Sequence, residues 1–94
     1  MTPAFILLVR PNDSGAARVG FTVSRKVGNA VARNRARRRL REMARTGLAP
    51  RAVAGADHIF IARPQERERP FAELVADMAR AVEKAGARLK APSG

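Results

Sequence analysis

Short apolar segments and longer amphipathic segments alternate along this chain, separated by clusters of turn residues. Strand-forming residues in which apolar and polar positions alternate are typical of a β-strand, whereas apolar residues at three- and four-residue steps are typical of an amphipathic helix. The pattern predicts strands over Phe5–Val9, Arg18–Ser24 and Asp57–Arg63, and helices over Ala30–Arg45 and from Pro70 to about Leu89. The predicted order is β-β-α-β-α, and the predicted fold class is α+β.

Turn chemistry predicts how these elements connect. Pro11–Gly15 is a dense cluster of turn residues, so we expect the first two strands to pair as a hairpin with a long loop. Gly28 can adopt a positive φ, and Asn29 is suited to cap the first helix. Gly47 and Pro50 are predicted to end that helix.

The two sides of the first predicted helix differ in character. At 100° per residue, an apolar stripe of mostly small residues predicts close packing on the sheet; its members are Ala32, Ala36, Leu40 and Met43. The opposite side is polar and basic, and it carries Asn34, Arg38, Arg41 and Arg45, with Arg35 and Arg37 on its flanks. We therefore predict a cationic ridge that faces away from the core.

Charge is the first property that bears on function. With 94 residues the chain is long enough for one domain, over residues 1–94, in which 91–94 are expected to form a frayed tail. The formal net charge is +11, and nine of the 19 basic residues lie between Arg25 and Arg45, where Glu42 is the only acid. Like charges at this spacing on a helix repel, and a polyanion would offset the repulsion. The excess of arginine over lysine favours phosphate, and hence nucleic acid, as the partner.

Residues that the sequence lacks exclude several kinds of chemistry. It contains no cysteine, which excludes disulfides, thiolate nucleophiles and cysteine-ligated zinc. His58 is the only histidine, too few for the usual zinc site. We therefore predict no catalytic residue and no metal ligand in this chain. No apolar run approaches the ~20 residues that cross a bilayer, so we also expect no membrane contact and a cytoplasmic location.

The basic helix is compatible with more than one class of binding protein. A membrane-surface helix would need large apolar residues opposite its charges, and the stripe of small residues offers too little area. A reader of the DNA major groove would have a second helix before the recognition helix, whereas a strand and a turn precede this one. A generic basic RNA-binding protein of ribosomal type therefore stays open beside an RNA-cofactor subunit.

One long segment resembles a known family. Arg18–Val31 (RVGFTVSRKVGNAV), followed by Arg33-Asn34-Arg35, Arg37-Arg38 and Leu40-Arg41-Glu42, is similar to the signature of the bacterial ribonuclease P protein subunit. The strand, loop and helix match in order and spacing, and Asp57–Pro64 resembles the strand that follows in that family. The resemblance covers essentially the whole chain from Phe5 onward. It implies a two-layer α/β sandwich of the kind shared with a small-subunit ribosomal protein domain, with a left-handed βαβ crossover.

The resemblance also implies a function. In that family a large catalytic RNA cleaves precursor tRNA with metal ions, and the protein is a cofactor that binds this RNA and the 5′ leader of the substrate. The implied partners are therefore the catalytic RNA and precursor tRNA, with no obligate protein partner. Mg²⁺ is expected with the RNA subunit and no cofactor on the protein. The residues expected to contact the catalytic RNA are Arg25, Lys26, Asn29, Arg33, Asn34, Arg35, Arg37, Arg38 and Arg41.

The same resemblance places a cleft for the leader on the sheet face opposite the helices. The residues expected there are Gly20, Thr22 and Ser24, with Phe60 as a stacking platform; a buried Phe60 in the core is the alternative. Family members usually carry an N-terminal helix and a short strand before the position that matches Phe5, whereas this chain opens at Met1. Because that helix helps to wall the cleft, the departure concerns leader binding more than binding of the catalytic RNA.

Overall fold

The predicted elements are present in the predicted order. A computed structural model describes residues 4–64 and 69–90. The strands are β1 (Phe5–Pro11), β2 (Arg18–Thr22) and β3 (Ala56–Ala62), and the helices are α1 (Ala30–Gly47) and α2 (Phe71–Lys90). Short 3-10 turns at Arg25–Val27 and Ala49–Arg51 flank α1. The α+β fold is thus confirmed, while the predicted tail at 91–94 lies outside the described residues.

The prediction that the first two strands form a hairpin is wrong. β3 lies between β1 and β2, pairing antiparallel with β1 and parallel with β2. The physical reason lies in the composition of β3, whose residues His58-Ile59-Phe60-Ile61-Ala62 offer apolar surface on both faces and suit a central strand. The loop between β1 and β2 crosses the end of β3. There the Asn12 N–H donates to the Gly55 carbonyl (2.7 Å), and the Gly55 N–H donates to the Ala16 carbonyl (3.2 Å).

The core lies between one face of the sheet and both helices. Phe5 and Phe60 are fully buried, and their rings meet edge-on with centroids 5.3 Å apart. The helices supply the larger of the other buried side chains, among them Leu40 and Met43 from α1 and Leu74, Met78 and Val82 from α2. The burial of Leu40 and Met43 confirms the predicted apolar stripe of α1.

The first helix continues two residues beyond its predicted end. Gly47 is its last residue and is buried, and a Cβ on Gly47 would lie 3.1 Å from the Cβ of Met78. Glycine here therefore lets α1 and α2 approach closely, whereas the prediction treated it only as a helix breaker.

The single histidine is part of the core. His58 is 0% exposed; its Nε2 accepts the Val53 N–H (3.0 Å), and its Nδ1 lies 3.0 Å from the Arg18 carbonyl. An Nε2 that accepts a hydrogen bond carries no proton, so the ring is assigned as the neutral tautomer with Nδ1–H donating to Arg18. Nδ1 thus joins β3 to the start of β2, and Nε2 holds the loop that leads into β3.

An exposed ion pair joins the same two strands. The Arg18 Nε donates to Asp57 Oδ1 (2.8 Å), and the Asn12 side-chain amide donates to the same oxygen (2.9 Å). The hydrogen bond from Arg18, and then that from Asn12, lower the pKa of Asp57, while Asp57 raises the pKa of Arg18. The carboxylate form of Asp57 is therefore favoured by the folded state.

Replacing Asp57 with asparagine should flatten the acid limb of the stability curve. A carboxyl group whose pKa is lowered on folding stabilises the fold above its ordinary pKa of about 3.9 and loses that contribution as the pH falls through the folded value. Urea unfolding at about pH 6 and about pH 3 should show a larger loss of stability for the unmodified chain than for Asp57→Asn. Equal losses would mean that the pair with Arg18 contributes nothing.

Candidate nucleic-acid interface

The basic segment begins in the 3-10 turn that follows β2. Ser24 precedes this turn, and its Oγ accepts the Lys26 N–H (3.3 Å). The strand ends at Thr22, so the prediction that Ser24 belongs to β2 is wrong; its hydroxyl serves the turn instead. Arg25 and Lys26 are exposed, and the turn places them directly before the first turn of α1.

Two residues fix the entry of the chain into α1. Asn29 caps the helix, with its Oδ1 accepting the Ala32 N–H (2.9 Å). Gly28 has a φ of 144°, and a Cβ there would lie 2.9 Å from the Cβ of Ala32, so a larger residue would be strained. Both sequence predictions for this junction are confirmed. The cap uses the same Asn29 side chain that is predicted to contact RNA.

The arginines of α1 spread over three sides of the helix rather than along one ridge. Asn34 and Arg38 are exposed on its outer side. Arg41 lines a cleft beside β2, and steps of four residues place Arg33 and Arg37 on that same flank. Arg35, together with Arg39, lines a groove on the other flank, toward α2.

Several basic side chains of α1 and its preceding turn lack internal compensation. Within residues 4–64 and 69–90, no ion pair involves Arg25, Lys26, Arg33, Arg38, Arg41 or Arg45. Arg37 donates to the Asn34 side-chain carbonyl (3.3 Å), a neutral partner that leaves its charge uncompensated. The surface of α1 is therefore prepared for an external polyanion, and a row of phosphates would satisfy the guanidinium donors.

The groove on the α2 side has apolar walls and a basic rim. It has a volume of about 590 Å³, and its lining includes Ala36, Leu40 and Leu74. Arg63 and Arg69 lie at its rim together with the two arginines from α1. Val31, at the start of α1, is 77% exposed beside it.

The residues predicted for the leader cleft do not share one face. Gly20 and Thr22 lie opposite Ile59 and Ile61 in the β2–β3 register, on the sheet face that points away from the helices. Phe60 lies between Ile59 and Ile61 on β3, so its side chain points to the opposite face, toward the helices, and it is 0% exposed. The prediction that Phe60 is a stacking platform is therefore wrong, because its ring is buried among the core residues and no nucleotide can reach it.

Two further arginines of α1 lie outside the predicted set of RNA contacts. Arg39 and Arg45 belong to the same helix and line the groove and the cleft, respectively. The charge pattern contained the signal for both, but the family motif gave them no place.

The described residues contain neither a cluster of candidate metal ligands nor a membrane-spanning helix. That part of the chain contains no group of three or more histidine, cysteine or acidic side chains placed to hold a metal ion. Neither described helix combines the length and the apolar character needed to cross a bilayer.

Comparison with known proteins places this architecture in a family. The family model described as Ribonuclease P matches residues 1–86. The ribonuclease P protein component of Gluconacetobacter diazotrophicus is 52% identical over 82% of this chain and 66% of its own length, and that of Paramagnetospirillum magneticum is 44% identical over 94% and 70%. The chain thus spans about two thirds of the length of these relatives. In fold it is similar to the ribonuclease P protein from Thermotoga maritima, with a TM-score of 0.74 at 24% identity over 89% of this chain and 79% of that one. The family match, the two close relatives and the shared fold together show that this chain belongs to the ribonuclease P protein family.

Proposed function

We propose that this chain is the protein cofactor of ribonuclease P and promotes the endonucleolytic maturation of precursor tRNA at its 5′ end. The observation that carries the proposal is that six exposed or half-buried basic residues of α1 and its preceding turn have no acidic partner in the described structure: Arg25, Lys26, Arg33, Arg38, Arg41 and Arg45. Phosphate contacts of this kind position a protein on RNA without reading its sequence. A family relationship to ribonuclease P protein components supports the catalytic RNA as the polyanion.

Catalysis in this proposal belongs to the RNA. The protein contributes binding and charge compensation, and the Mg²⁺ ions that cleave the phosphodiester bond accompany the RNA subunit. A protein that neutralises phosphates lowers the concentration of cations needed to hold the RNA and its substrate together. The proposal therefore predicts that the protein matters most when Mg²⁺ is scarce.

The outer face of the sheet is the proposed site for the 5′ leader. Gly20 leaves open space there, since no described residue apart from its chain neighbours lies within 4 Å of where its Cβ would be. Ile6 and Leu8 from β1 lie on the same face, and Leu8 is 43% exposed. An extended strand of RNA could lie across this apolar surface, and the exposed Arg25 in the turn after β2 would meet a phosphate.

Cleavage of a precursor tRNA by the cognate catalytic RNA tests the proposal. At low Mg²⁺, adding this 94-residue chain should increase the cleavage rate. A matched substrate without a 5′ leader separates the two contacts, because the leader site predicts a larger stimulation for the substrate that carries one.

Each outcome of this assay is informative. Equal stimulation of both substrates would support the contact with the catalytic RNA and contradict the leader site. No stimulation, combined with tighter binding to ribosomal RNA fragments than to the catalytic RNA, would contradict the proposal and favour a generic RNA-binding protein of ribosomal type.

A further inference from the structure

A second surface on the molecule has the properties of a binding site. Among the described residues, β2 is an edge strand, hydrogen-bonded to β3 on one side only. Val19 and Phe21 lie opposite His58 and Phe60, so they point to the side of the sheet that the helices cover. Yet Val19 is 48% exposed, so α1 leaves part of the edge strand uncovered.

The uncovered space is a cleft of about 330 Å³ between β2 and the second half of α1. We call it the β2–α1 cleft, lined by Arg18, Val19, Phe21, Arg41, Arg45 and Leu48 among others. Its floor is mostly apolar and includes, beside the buried imidazole of His58, one phenyl ring. That ring, Phe21, stacks on Phe60 with centroids 5.8 Å apart and planes 19° apart.

The helix side of the β2–α1 cleft is strongly basic. Arg41 and Arg45 are exposed and have no ion-pair partner in the described part of the chain. Arg33 and Arg37 extend the same row, four residues or about 6 Å apart along the helix. Arg18, at the strand side, is already held by Asp57. The unmet charge therefore comes from α1 alone.

We propose that the β2–α1 cleft binds an unpaired strand of RNA, with one base against Val19 and Phe21 and the flanking phosphates on Arg41 and Arg45. Proteins bind single strands by combining a basic groove with aromatic rings on which bases stack. A base in the cleft would extend the stack of Phe60 and Phe21 outward. The inference rests on the proposed function, which makes RNA the ligand, but it adds a second contact distinct from the leader face, since Gly20 and Thr22 point to the other side of β2.

The charge of the cleft distinguishes this occupant from others. A duplex presents phosphates to the protein and keeps its bases stacked, so it would leave the apolar floor unfilled. A peptide strand added to the edge of β2 would use backbone hydrogen bonds and would not need the row of arginines. An unpaired RNA strand uses the apolar floor and the arginines together.

The first test compares a single-stranded oligouridylate with an RNA duplex of the same length, by fluorescence anisotropy. Val19→Glu should weaken binding of the single strand by about tenfold, because it removes the surface for the base and adds a charge beside the phosphates. Phe71→Glu is the matched control: Phe71 lies on α2, is 42% exposed and receives the same charge. The duplex should respond equally weakly to both variants. Equal losses from both variants for the single strand would overturn the proposal.

The second test measures the salt dependence of oligouridylate binding. Arg41→Gln/Arg45→Gln should make the negative slope of log K against log salt shallower by about 1.4, at roughly 0.7 per phosphate contact on a single strand. Lys84→Gln/Arg88→Gln removes the same charge at the same spacing from exposed positions of α2 and should leave the slope unchanged. Equal slopes for the two double variants would contradict the phosphate contacts.

These assays contain no catalytic RNA, so they fail independently of the cleavage assay. If the chain stimulates cleavage but Val19→Glu weakens binding of the single strand no more than Phe71→Glu does, the proposed function stands. The β2–α1 cleft is then overturned as an RNA site. Self-association of the chain that Val19→Glu abolishes would likewise overturn it, and would assign the open edge of β2 to a second copy.

Discussion

Alanine at Arg33, Arg35 and Arg38 together should preserve the fold and markedly weaken binding of the catalytic RNA. These three arginines lie on the three basic sides of α1, so the triple variant removes charge from each side at once. Each lost phosphate contact makes the negative slope of log K against log salt shallower by roughly 0.7–0.9, so the triple variant should make it shallower by about 2–3. Titrations of the catalytic RNA at several salt concentrations measure this slope.

The helix itself should tolerate these changes. Alanine is the better helix former, and the removal of like charges relieves repulsion along α1, so helicity measured by circular dichroism should hold or rise. Lys84→Ala/Arg88→Ala on α2 provides a control for the loss of charge as such. An unchanged slope in the triple variant, or an equal change per charge in the control, would mean that α1 does not carry the RNA contact.

Replacing Phe60 with alanine should destabilise the protein by about 3–5 kcal/mol. Its ring is fully buried at the centre of the sheet, edge-on to Phe5 and stacked on Phe21. A domain of this size has a total stability of roughly 5–15 kcal/mol, so the loss would consume a large part of it. Urea unfolding of the variant measures the effect, and Phe60→Leu, which keeps most of the apolar volume, should lose much less.

This experiment also separates the two roles predicted for Phe60. A core residue affects stability first, and the folded fraction of Phe60→Leu should bind RNA as the unmodified chain does. A small loss of stability together with a large loss of RNA affinity would instead return Phe60 to a role in stacking nucleotides, against its burial in the structure.

The junction between β2 and α1 shows how much local sequence can predict. Gly28 and Asn29 were assigned their roles from residue type alone, and the structure confirms both, because a positive φ and a helix cap are properties of a few neighbouring residues. The apolar stripe with Leu40 and Met43 was predicted equally well, since 100° per residue fixes which side chains share a side of a helix.

Strand pairing was beyond this kind of local inference. The sequence placed β1 and β2 next to each other along the chain and suggested a hairpin, but β3 inserts between them. Apolar and polar residues alternate in the same way in β1 and β2 whether these strands pair with each other or with a third strand between them. The choice depends on which arrangement buries the two apolar faces of β3, and that is decided by contacts between residues far apart in sequence.

The sequence by itself determined the order of the elements, the capped start of α1, the concentration of positive charge between Arg25 and Arg45, and the resemblance that pointed to an RNA partner. These properties depend on residue types at short separation. Only the tertiary structure decided that Phe60 is buried, that the arginines face three directions and that Val19 lies uncovered at an open edge. Each of those depends on which face of the central strand the helices cover, and local periodicity carries no information about that choice because both faces of β3 are apolar.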